Sequence, residues 1–214
     1  MEPESKQPES PPKAHFPLPD KMPVMVLSNC FLLPGCFLPL FIFEERYRLM
    51  LKHALENDRM FCVGIRKRAS GDSDEVLPVT TAGLIRACVK NEDGTSQLML
   101  HGVQRIRLKE WTQEEPYRIA RVEPIVTVPC PSDRLAALQQ QAVKLLPPAP
   151  EDSCDAVKIV RQAIQCVSDP ELVCDILAYH FVKRACTMKS LLAEPCLETR
   201  YGLLIAELAR LAGE

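Results

Sequence analysis

The apolar residues of this chain change their period once, at Pro129-Cys130-Pro131. Before that point short apolar runs and period-two alternation dominate, the mark of strands with one buried and one wet face. Beyond it the spacing is three to four residues, the mark of amphipathic helices. Strands followed by helices predict an α+β fold.

Within the first part, Val24-Met25-Val26-Leu27, Phe37 to Phe43, Phe61 to Ile65, Gly83 to Lys90, Ser96 to Leu100, Arg105 to Lys109 and Arg118 to Glu123 all read as strands. Asp93-Gly94 predicts a hairpin between Lys90 and Ser96. A single helix interrupts, Glu44 to Asn57, with Tyr47, Met50, Leu51, Ala54 and Leu55 on one stripe. Six or more short strands with one helix suggest a curled antiparallel sheet or small barrel.

In the second part Ser132 can cap a helix to about Leu146, which Pro147-Pro148 ends, and Ser153 can cap the next, with Val157, Val160, Ile164 and Val167 on one face. Asp169-Pro170 pairs a capping residue with proline at the first helical position and starts a third helix to about Arg184. A short turn around Met188 to Ala193 precedes Glu194-Pro195 and a last helix carrying Leu197, Tyr201, Leu204, Ile205, Leu208 and Leu211. The expected organisation is a proline-rich disordered tail over 1–21, a β-rich unit over 22–128 and a helical bundle over 129–214.

The net charge of −2 is not concentrated in any segment, which argues against a nucleic-acid or anionic-membrane partner. Arg66-Lys67-Arg68 with Arg105, Arg107 and Lys109 is the one basic cluster, offset by Asp72, Asp74 and Glu75 and without interleaved aromatics. No apolar run approaches the roughly 18–20 residues of a bilayer span. Met1-Glu2-Pro3-Glu4 has neither a basic nor an apolar leader region, so a cytoplasmic location is expected. The ten cysteines are scattered through apolar segments, as expected of reduced, buried thiols.

Three segments carry a family resemblance. Leu38-Pro39-Leu40-Phe41-Ile42-Phe43-Glu44-Glu45-Arg46-Tyr47-Arg48 resembles the strand-to-helix segment of the amino-terminal domain of Lon-type ATP-dependent proteases. Gly83-Leu84-Ile85 through Asp93-Gly94 to Gly102-Val103-Gln104-Arg105 is similar to that domain's central hairpin, and Tyr117 to Glu123 to its last barrel strand. The resemblance implies a PUA-like β-subdomain followed by a helical one, and a non-enzymatic module that recognises polypeptide substrate or a protease partner, with no cofactor. Two alternatives accompany it: an RNA-binding PUA-like module, or a protein grouped with peptidases by family association alone.

Enzymatic parts are not in evidence. None of the eight glycines is followed by lysine, so the phosphate-cradling loop of a nucleotide motor is missing. Lys189 and Ser190 are adjacent and would project about 100° apart on a helix, which makes no Ser-Lys dyad. No cysteine or histidine spacing suits a metal. Candidate substrate-binding residues are Phe41, Phe43 and Tyr47, near the helix start, with Trp111 near a strand end, lining an exposed groove between sheet and bundle. Framework roles fall to Gly35 (a type II turn after Pro34), Gly102 (ending a strand, with a bulge or corner before Arg105), and Glu44, Arg46 and Arg105. A Glu44–Arg105 or Arg46–carboxylate pair is expected to stitch helix to sheet, unless these are ordinary surface charges.

Overall fold

The computed structural model describes residues 17–67, 75–146 and 156–213. The strands are β1 (Lys21–Leu27), β2 (Phe37–Ile42), β3 (Met60–Ile65), β4 (Val79–Lys90), β5 (Ser96–Gln113) and β6 (Arg118–Pro124), with α1 (Glu45–Glu56) between β2 and β3. Five helices follow: α2 (Ser132–Lys144), α3 (Ala156–Gln165), α4 (Pro170–Phe181), α5 (Ala185–Ala193) and α6 (Leu197–Ala212). The fold is α+β, as the change of period predicts. The tail expected over 1–21 falls largely on residues outside the described ones, as do Ser153, Cys154, Arg68, Asp72, Asp74 and Pro147-Pro148; Lys21 already belongs to β1.

The strands form one sheet in the order β2-β5-β4-β3-β1-β6, and the far half of β5 pairs back onto β6. Thus β5, β4, β3, β1 and β6 close a curl, and β2 hangs from the near half of β5. Two features depart from the sequence expectation. First, β1 runs parallel to β3, with Val24 opposite Cys62 and Leu27 opposite Ile65, so the sheet is mixed rather than antiparallel and not a regular barrel. The connection through β2 and α1 is long enough for the crossover that parallel pairing requires. Second, the two strands expected at Ser96–Leu100 and Arg105–Lys109 are one continuous strand. Gly102 does not end a strand; the register skips a residue there, pairing Ala82 with Gln104 but Gly83 with Gly102, so the expected bulge exists inside β5.

Three apolar clusters hold the molecule. Met22, Val24, Cys62, Ala82, Ile106, Leu108, Ala120 and Val122 fill the curl. Tyr47, Met50, Leu51 and Ala54 of α1 pack on Met25, Phe61, Val63, Ile85 and Leu100, which is the stripe expected of this helix. The third cluster joins Val160, Ile164, Val173, Leu177, Leu191, Tyr201, Leu204 and Leu208 of the bundle to Leu33, Cys36, Ile65 and Val79 of the sheet.

Local signals succeed and fail for identifiable reasons. Asp169 accepts the Glu171 amide at 3.0 Å with Pro170 behind it, so α4 starts where the Asp-Pro pair places it, though it stops at Phe181 rather than Arg184. Ser132 does not cap α2; its hydroxyl bonds the Asp133 carboxylate at 3.3 Å, and Pro131 stands at the cap without a side-chain bond. The turn expected at Met188–Ala193 is a nine-residue helix. Asp93-Gly94 makes a hairpin, as a five-residue loop closed by Asn91 and Thr95, with Gly94 at φ +81°. Cys36, Cys62 and Cys174 are buried as expected of small hydrophobes, whereas Cys166 and Cys186 are exposed.

Candidate functional site

The Pro34-Gly35 turn sets up the site. Gly35 takes φ +75°, as a type II turn requires, and a side chain there would collide with Leu172 of α4. Its amide donates to the Gly102 carbonyl at 2.7 Å, and the Gly102 amide donates to the Cys36 carbonyl at 2.9 Å. A Cβ at Gly102 would meet the Leu33 carbonyl oxygen, so this crossing of two backbones needs glycine. The crossing launches β2 along β5 in antiparallel register from Phe37 opposite His101 to Ile42 opposite Ser96.

Alternation along β2 then sorts its side chains. Leu38, Leu40 and Ile42 turn inward, while Phe37, Pro39 and Phe41 turn outward, followed by Phe43. Phe37, Phe41 and Phe43 are 50%, 54% and 60% exposed, large values for aromatic rings on a sheet. Register carries the face across two more strands: Pro39, Met99 and Ala87 form one row, and Phe41, Gln97 and Val89 the next. The Phe37 ring stacks on His101 at 4.6 Å, and Phe41 on Phe43 at 6.0 Å. The outcome is an apolar, aromatic-rich outer face on a three-strand edge.

The backbone of β2 limits how this edge can be used. Gly102 donating to Cys36 makes the even-numbered residues the ones bonded to β5, so Phe37, Pro39 and Phe41 direct their backbone groups to the free edge. The Phe37 carbonyl there already accepts the Tyr179 hydroxyl of α4 at 2.8 Å. Pro39 has no N–H to give. An added strand would therefore find a broken ladder, the usual protection of an edge.

The sequence-derived candidates separate. Phe41 and Phe43 lie on this face. Tyr47 lies in the core, its hydroxyl bonded to the Val26 amide at 3.2 Å and the Val26 carbonyl at 3.1 Å. Trp111 stands opposite Ala120 at the other end of β5, half-buried over the curl, with the Arg118 guanidinium 5.2 Å from its ring centre. Phe37, Pro39, Met99, Val89 and His101 were not among the candidates. The signal for the first two was present, since every odd position from 37 to 43 is aromatic or proline.

The charged framework residues also separate. Glu44 caps α1 by position without a side-chain cap bond, and Arg46 pairs with it locally at 2.8 Å while covering the Tyr47 ring at 4.6 Å. Arg105 pairs with α4 rather than Glu44, and it is no surface charge: only 3% exposed, it grips Asp175 through two bonds of 2.7 and 2.6 Å. Arg200 of α6 lies 3.5 Å from the same carboxylate and donates to Glu171 and Thr127 at 3.0 Å, while the Thr127 hydroxyl bonds Glu171. Two buried cations and two carboxylates thus join the sheet, α4 and α6. Burial works against the charge of Arg105, but Asp175 and Glu171 outweigh it and hold its pKa above the ordinary value. Beside this cluster the Cys36 thiol is pushed up to about 12, by burial first and the Asp175 charge second.

Among the described residues no group of three or more His, Cys, Asp or Glu is placed to hold a metal ion. A cavity of about 370 Å³ opens beside the end of α1, lined by Lys21, His53, Asn57, Met60, Gln113 and Ile119 among others, and includes none of the outer-face residues. No helix of the described residues is long and apolar enough to cross a membrane.

Known proteins share this arrangement. Lon protease 2 of Myxococcus xanthus is 27% identical over 155 residues, covering 67% of this chain and 19% of its own length. The Lon protease of Desulfovibrio desulfuricans is 25% identical over 190 residues, 85% of this chain and 21% of its own. The chain spans about a fifth of the length of the curated relatives it matches. Among solved structures, the N-terminal domain of Mycobacterium avium complex Lon protease superposes with a TM-score of 0.66 at 16% identity, over 88% of this chain and 98% of that one. The Lon N-terminal domain protein from Xanthomonas campestris gives 0.61 at 19% identity, over 87% and 97%. Residues 21–210 match the family described as the ATP-dependent protease La (LON) substrate-binding domain, and the chain belongs to that family.

Proposed function

We propose that this chain is a non-enzymatic module that recognises polypeptide, docking extended apolar segments on the outer face of β2, β5 and β4 and serving ATP-dependent proteolysis through a partner in the cytoplasm. Phe37, Phe41 and Phe43 hold the client, with Pro39, Met99 and Val89 as the apolar floor. One observation carries the reading: three aromatic rings, each at least half exposed, stand on an edge strand and just past its end in a domain whose family is described as substrate-binding. The gap left by Pro39 favours side-chain packing over strand addition. Tyr47 is a core residue in this reading, and Trp111 lies too far along β5 to share the face. Lys67 pairs with Glu75 at 2.9 Å, Lys109 with Glu123 at 2.8 Å and Arg105 with Asp175 at 2.6 Å, so three of the basic groups are already engaged by carboxylates, which favours polypeptide over RNA.

Fluorescently labelled, unfolded casein provides the test, read by anisotropy. The double variant Phe41→Ser, Phe43→Ser removes two exposed rings that contribute little to the core. Its affinity is expected to fall about tenfold or more. Unchanged affinity overturns the docking face.

A further inference from the structure

Two cysteines stand at the head of α6 and in the segment before α2, Cys196 and Cys130. Val128 and Cys196 form a parallel bridge: the Val128 amide donates to Pro195 at 2.9 Å, and the Leu197 amide donates to Val128 at 3.1 Å. Residues facing each other in such a bridge point to the same side. Two residues on from Val128, the Cys130 thiol reaches the Glu198 carboxylate at 3.8 Å, two residues beyond Cys196. Both cysteines are free and half-buried, and the charge of Cys196 is the smallest of the influences on Cys130.

The two thiols differ in environment. Cys196 occupies the cap position of the 16-residue α6, where unpaired amides and the helix dipole favour negative charge. No cap hydrogen bond of ordinary geometry closes onto its sulfur, yet the Thr199 amide, then its hydroxyl, and the Glu198 amide pull the pKa down, against partial burial and the Glu194 charge. Cys130 is held the other way, by burial and by Glu198, with Arg134 opposing. Arg134 itself sits 2.5 Å from Glu198, which keeps that carboxylate beside the Cys130 thiol.

We propose that Cys196 and Cys130 form a peroxide-responsive pair, Cys196 the attacked sulfur and Cys130 the resolving one, closing a reversible disulfide between the sheet-to-bundle connection and the head of α6. In the first step the Cys196 thiolate attacks a hydroperoxide oxygen. The S–O bond forms, the O–O bond breaks, sulfur loses two electrons, and the leaving oxygen takes up the proton shed by Cys196 as water or an alcohol. In the second step Cys130 attacks that sulfur while passing its proton to Glu198. The S–S bond forms, the S–O bond breaks, and hydroxide leaves with the proton held by Glu198 as a second water. Two equivalents of an external thiol then reduce the disulfide by exchange, restoring both cysteines and leaving as their own disulfide.

The whole chain, fully reduced, is treated with equimolar hydrogen peroxide, blocked with iodoacetamide, digested and mapped by mass spectrometry. A Cys130–Cys196 linked peptide, two hydrogens lighter than its reduced components, is the expected product. Cys196 is expected to oxidise about tenfold faster than the exposed Cys166. In Cys130→Ser, which keeps size and polarity, Cys196 should persist as a sulfenic acid that dimedone captures. Absence of the linked peptide in the unaltered chain, or oxidation of Cys196 no faster than Cys166, overturns the proposal.

Discussion

His101 stacks on Phe37 and lines the row of the outer face nearest the bundle. Burial lowers its pKa, and the nearby Arg86 charge lowers it further, so the fold favours the neutral ring. A client covering the face would bury the ring more deeply and lower the value again. Protonation and binding therefore compete. Affinity is full above the depressed value that His101 has in the free protein and is lost as pH falls below it towards the still lower value of the bound state. Anisotropy with labelled casein should show weaker binding at about pH 5.5 than at about pH 7.5. His101→Gln should flatten that dependence while retaining binding. A dependence equally steep in the variant would assign the proton elsewhere, His180 of α4 being the next candidate because burial and Lys183 lower it too.

At the level of elements, the decisive contact is the one that sequence could not reach. Arg105 sits where period-two alternation predicts a wet face, and its neighbours Ile106 and Leu108 are buried inside the curl as that alternation requires. It is buried because α4 covers the outside of β5 there, and its partner Asp175 lies 70 residues further on. Alternation reports which side a residue faces and nothing of what packs on that side. The same blindness hid the parallel pairing of β1 with β3 and the continuity of β5 through Gly102. Capping chemistry is local, so Asp169-Pro170 was legible; α5 was not, because a nine-residue helix with no acidic first turn or glycine stop leaves no such mark. For the site, Phe41 and Phe43 were readable as apolar residues with no obvious core role, but the face needed the β5 and β4 register to assemble. Asp175 gives the test of this junction. Asp175→Ala leaves two buried guanidinium groups sharing one carboxylate, Glu171, and should cost about 3–5 kcal/mol in urea unfolding. A cost below about 1 kcal/mol, the level of an exposed pair, would show that water reaches the cluster.

Taken as a whole, the molecule has no clean seam between strands and helices. Leu33, Cys36, Ile65 and Val79 of the sheet half belong to the same apolar cluster as the bundle, and the Arg105 charge is met by Asp175 and Glu171 of α4. A sheet without its helices would expose those side chains and strand a buried cation, so burial couples the two halves more strongly than the linker at Pro129-Cys130-Pro131 suggests. The chain supplies its own reporters for this coupling. Its single tryptophan, Trp111, sits in the sheet. The helices other than α1 lie beyond residue 131. Urea unfolding followed by Trp111 fluorescence and by far-ultraviolet helix signal should therefore give coincident transitions, with one midpoint and one slope. Loss of helix signal well before the tryptophan transition would mean that the bundle unfolds from an intact sheet. In that event the buried Arg105–Asp175 pair could not be what binds them, because a sheet retaining its structure would have to carry Arg105 without a partner.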